Sequence, residues 1–150
     1  MALLALTVGA ATLAGVGTSG AAGPVARAAH SVSVKDEGRL KLVKASGSVL
    51  TDEGPATGTV PGRVRVRFIY NGDPSVSAQI TIYGHAGTIL AHGSGRLSNP
   101  TSSSPSFKGT LAISGGSGRY ASARGGGEMF GVFYRRSYAI TVQTRGVLHY

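Results

Sequence analysis

From residue 31 onward apolar side chains recur with a period of two, and no block of 11 or more residues repeats them at i, i+3, i+4 and i+7. The chain therefore predicts strands and very little helix. The clearest strand is Arg63-Val64-Arg65-Val66-Arg67-Phe68-Ile69-Tyr70. Successive side chains point to opposite faces, so its arginines take one face and Val64, Val66, Phe68 and Tyr70 the other. Val76, Ala78, Ile80 and Ile82 alternate with Ser77, Gln79, Thr81 and Tyr83 in the same way, and Leu40 and Leu42 with Arg39 and Lys41. Residues 88–97, 107–114, 127–134 and 137–149 read as further strands, and 31–35 as an eighth.

Turn chemistry separates these runs. Asn71-Gly72 is a hairpin signal because both central residues of a type I′ turn need positive φ. Residues 84–87 and 134–137 are also short enough to join neighbouring antiparallel strands. Two connections read as longer: residues 51–62, and the Ser/Pro segment 98–106, expected to be extended and mobile. Short links predict up-and-down order. The fold expected is all-β, a small antiparallel up-and-down β-barrel of seven or eight strands, since closure removes exposed edges; an open sandwich is the alternative.

Composition refines this picture. Glycine supplies 24 of 150 residues with no three-residue period, which fits a turn-rich β protein and excludes a collagen-like one. The absence of cysteine excludes disulfides and thiolate metal sites. Fifteen Lys and Arg against six Asp and Glu give a formal charge of +9, which attracts polyanions. Residues 1–16 are apolar and lead to Ala26-Arg27-Ala28, a signal-peptidase pattern, although no basic segment precedes the run. Glycines 9, 15, 17 and 20 interrupt it, whereas a membrane span needs about 20 apolar residues. Residues 1–28 are thus expected to be a secretory signal and 29–150 one secreted barrel domain.

The run from Gly109 to Gly125, GTLAISGGSGRYASARG, carries a family resemblance. It resembles a signature of the dirigent and allene oxide cyclase superfamily, in which a strand ends in Gly-Gly-Thr-Gly-(Arg/Lys)-(Phe/Tyr), then Ala-Arg-Gly and the next strand. The resemblance implies an eight-stranded calycin-type barrel that binds or steers small hydrophobic molecules, and a trimer, the assembly of the plant dirigent proteins. Independently of it, Gly115, Gly116 and Gly118 permit a tight path between two strands. Tyr120 is placed to plug the barrel end, and Arg119, Arg124 and Gly125 complete this structural corner. Gly125, Gly126 and Gly127 would let the next strand bend as it re-enters the sheet.

Candidate chemistry is sparse. Dirigent-type activity is associated with pocket acids, and here five of the six acids, Asp36, Glu37, Asp52, Glu53 and Asp73, read as lying near turns or strand ends. Glu128 is left as the weak catalytic candidate, with Tyr134 on the same strand face. Its competing reading is a rim carboxylate paired with Arg124 or Arg119. A ligand cavity is expected among Val66, Phe68, Ile80, Ile82, Leu111, Ile113, Phe130 and Val132; residues 129–134 are apolar on both faces, so alternation leaves open which side faces in. Arg63, Arg65 and Arg67 form a basic stripe suited to an anionic cell-wall polymer. Phe68 and Tyr70 fall on the opposite face, so stacking with nucleic acid is not expected. Residues 116–121 fit G-x-G-x-x-A but lack the following helix and later acid of a dinucleotide site. Ser117 lacks a nucleophile-elbow setting. His85 and His92 bring no third ligand, so neither a metal nor a cofactor is expected.

Overall fold

The computed structural model describes residues 30–71 and 74–150, so the leader at 1–28 and Gly72 of the Asn-Gly turn lie outside the described residues. The fold is all-β. Eight antiparallel strands run β1 (Ser31–Ser46), β2 (Val49–Gly58), β3 (Gly62–Tyr70), β4 (Ser75–Gly84), β5 (Gly87–Ser98), β6 (Ser106–Gly116), β7 (Arg124–Tyr134) and β8 (Ala139–His149). Each pairs with its neighbour in sequence, and β8 pairs with β1 to close the barrel. A single turn of 3-10 helix, Gly118–Tyr120, interrupts the β6–β7 corner.

Two parts of the strand pattern differ from the sequence expectation. Residues 31–35 and the Leu40/Leu42 run are one strand, β1, whose register with β2 shifts between Leu42 and Lys44. Residues 51–62, expected as a long connection, are mostly β2. Its inward face carries Asp52, Gly54 and Ala56, which supply no run of bulky apolar side chains to announce a strand.

Alternation fills the interior. Leu40, Val64, Val66, Phe68, Ala78, Ile80, Ala91, Phe107, Met129, Ile140 and Val142 form the main core. A second cluster, Val60, Ile89, Ala123 and Leu148, lies at the pole where β6 turns into β7, and Tyr120 and Tyr150 pack on it. Tyr120 meets Tyr150 edge to face at 5.1 Å, and the Arg119 guanidinium lies 4.9 Å from the Tyr150 ring centre. The corner thus acts as the expected plug. One pole of the barrel is closed by side chains, and the other, ringed by the β1–β2, β3–β4, β5–β6 and β7–β8 connections, is the mouth.

Candidate functional site: the mouth and a buried aspartate

The mouth holds a cavity of about 430 Å³. Leu50, Phe68, Leu97, Phe107, Phe133 and Ile140 supply most of its apolar wall, and Pro100, Pro105 and Arg135 border it from the surrounding connections. Phe68 and Phe107 meet edge to face at 6.0 Å. The volume falls in the usual range for small-molecule sites, and apolar walls are the usual lining.

The Ser/Pro segment, expected to be mobile, is pinned beside this cavity. Phe133 N–H donates to the Pro105 carbonyl (3.0 Å) and Arg135 N–H to that of Ser103 (3.1 Å). The Arg135 side chain donates to the carbonyls of Ser102 and Pro100. A cationic fork that satisfies two carbonyls of an irregular segment holds it more firmly than neutral contacts would. Arg135→Ala is accordingly expected to speed amide exchange across residues 99–104 several-fold while lowering global stability by only about 1 kcal/mol. Unchanged exchange rates in that segment would show that Arg135 does not hold it.

Below the mouth lies a polar group that the sequence reading placed near a strand end. Asp52 sits in mid-strand on β2, is 0% exposed, and neither carboxylate oxygen has a hydrogen-bond partner among the described residues. Its register partners are Leu42 on β1 and Val66 on β3. Burial pushes its carboxyl up to about 6 from an ordinary 3.8, because the apolar surroundings disfavour the charged form. Asp36, the other buried acid among the described residues, differs in being served. Its Oδ1 accepts the Val60 N–H at 3.0 Å, which tempers the upward push of burial. The register places Asp36 six residues along β1 from Leu42, so the two acids are about 20 Å apart along the strand and form no carboxylate pair.

No family model, curated protein or solved structure matches the chain.

The residues singled out from sequence divide sharply. Phe68 lines the mouth cavity. Val66 and Ile80 are core below it, with Ile82, Leu111 and Ile113 packed against that core. Phe130 and Val132 do not face inward: on β7 it is Met129 and Phe133 that join the core, and Lys108 lies over the Phe130 ring at 5.4 Å. Glu128 and Tyr134 share that outer face. Glu128 is 57% exposed and 3.8 Å from the Lys108 ammonium, so it meets neither Arg119 nor Arg124 and cannot act inside the barrel. Arg63, Arg65 and Arg67 do share the outer face of β3, but Arg63 and Arg65 clasp Glu53 on β2 and Arg67 donates to Gln79. Hydrogen bonds from Arg65, then Arg63, hold the Glu53 carboxyl below its usual range, so part of the stripe's charge is already answered. Among the described residues no group of three His, Asp or Glu side chains could hold a metal ion.

Proposed function

We propose that the protein is a secreted barrel of the dirigent and allene oxide cyclase type that holds or steers a small hydrophobic ligand, taken up through the mouth. The observation that carries this reading is the apolar cavity of about 430 Å³ at the pole that the described side chains leave open. The apolar leader supports export, and the resemblance adds a trimer as the assembly to look for by native mass spectrometry. Filling the cavity tests the reading. Leu97→Trp adds bulk to the wall from a strand that is otherwise undisturbed. It is expected to weaken binding of a neutral apolar fluorophore such as N-phenyl-1-naphthylamine at least tenfold, with the far-UV spectrum unchanged. Undiminished binding would place the ligand elsewhere.

A second reading, a cyclase or isomerase working in the cavity, draws support from Asp52 and not from Glu128. A buried carboxyl raised to about 6 is suited to give or take a proton near neutral pH, whereas Glu128 stands in solvent.

A further inference from the structure

We propose that Asp52 recognises the polar end of the ligand, and that the barrel selects molecules joining an apolar body to a cationic amine. This rests on the mouth cavity being the binding site.

A carboxylate without a single donor is an unfinished interaction. Buried polar groups in folded proteins are nearly always hydrogen-bonded, and the other buried acid of this barrel obeys that rule. Nothing on the neighbouring strands can serve Asp52. The inward positions facing it are Leu40 and Leu42 on β1 and Val64, Val66 and Phe68 on β3, none of them titratable. The charged side chains closest in sequence or register, Glu53 on β2, Arg39 and Lys41 on β1 and Arg65 on β3, occupy outer-face positions. Asp36 lies towards the closed pole, and Arg135 is engaged by carbonyls at the mouth.

The position of Asp52 relative to the cavity supplies the second half of the case. It shares the inward face of β2 with Leu50, which lines the cavity, one pleat nearer the mouth, a step of about 6.7 Å. Leu50 pairs with Phe68 directly above the Asp52–Val66 pair, and both upper side chains border the open volume. A rotamer change of either into that volume opens the step to the carboxylate. The arriving group must donate hydrogen bonds, and only a cation also cancels the charge. A hydroxyl would leave a net negative charge in an apolar core, and an anion would double it.

Displacement of N-phenyl-1-naphthylamine by n-octylamine, n-octanol and octanoate separates these cases. At pH 7.5 octylamine is expected to displace the fluorophore at a concentration at least tenfold below that of octanol, with octanoate the weakest. The advantage should shrink toward pH 5 as Asp52 takes up its proton. Asp52→Asn should abolish it while fluorophore binding persists. Equal potency of amine and alcohol in the wild type, or an amine advantage that survives Asp52→Asn, overturns the proposal. Failure of the fluorophore to bind at all sinks the cavity reading instead. The Asp52 carboxyl carbon, followed by NMR, then decides the assignment separately. Octylamine should move its titration midpoint to lower pH, and an unmoved midpoint refutes recognition by Asp52.

Discussion

Asp52→Asn is expected to raise the stability of the barrel at pH 7.5 by about 2–3 kcal/mol, or roughly 8–12 °C in Tm for a domain of this size, and to change it little at pH 4. The direction follows from proton binding. In the folded chain burial pushes the carboxyl up to about 6, against an ordinary 3.8 when the chain is unfolded. Below both values the group is neutral in either state and contributes nothing. Between them the folded state retains a proton that the unfolded chain releases, so stability declines as pH rises through this window, and above about 6 the deficit is constant. Asparagine keeps the shape and the lack of partners but removes the charge. Subtracting the two melting curves therefore isolates ionisation from packing. A difference that stays flat from pH 4 to pH 8 would mean that Asp52 is neutralised by something absent from its surroundings as described.

The β6–β7 corner offers the second large effect. Gly115 and Gly125 both hold left-handed backbone, with φ of 149° and 143°, which costs other residues about 1–3 kcal/mol. Their surroundings differ. A methyl group on Gly115 meets nothing nearby, whereas one on Gly125 runs into the Val147 carbonyl across the β7–β8 ladder. Alanine at 115 should then cost the conformational strain alone. Alanine at 125 adds a backbone collision that only separation of two paired strands relieves, a further 1–3 kcal/mol or about that. The combined loss, about 2–6 kcal/mol, reaches at its upper end the whole stability of a marginal domain. Urea unfolding of the two variants side by side checks the contrast, and equal midpoints would refute it.

Much of this architecture was legible because barrel strands advertise themselves by alternation. The arginine and valine comb at 63–70 and the Val76-to-Ile82 series sit in β3 and β4 with the faces anticipated. The strand that escaped notice is the one carrying the acid. Gly54 on β2 lies so close to the Arg39 carbonyl of β1 that no side chain would fit, and Asp52 occupies an interior place normally taken by an aliphatic residue. The same physical circumstances that make Asp52 unusual removed the apolar signal by which its strand could be found. On β7 the difficulty was of another kind. Residues 129–134 are apolar on both faces, and the choice falls to packing: Gly131 faces the Phe107 ring, which puts Met129 and Phe133 inside and Phe130 and Val132 outside. The Ser/Pro segment looked free because its anchor, Arg135, lies more than thirty residues along the chain.

His30 and Tyr150 exchange backbone hydrogen bonds at 2.8 and 2.9 Å, and their rings stack, so the two ends of the folded barrel meet at the plugged pole. The apolar cavity proposed to take up a ligand opens at the far pole. If the mouth is the binding site, the molecule has a handle and a working face at opposite ends. A tag, bead or sensor surface joined after residue 150 would hold every copy with its mouth turned to the solution.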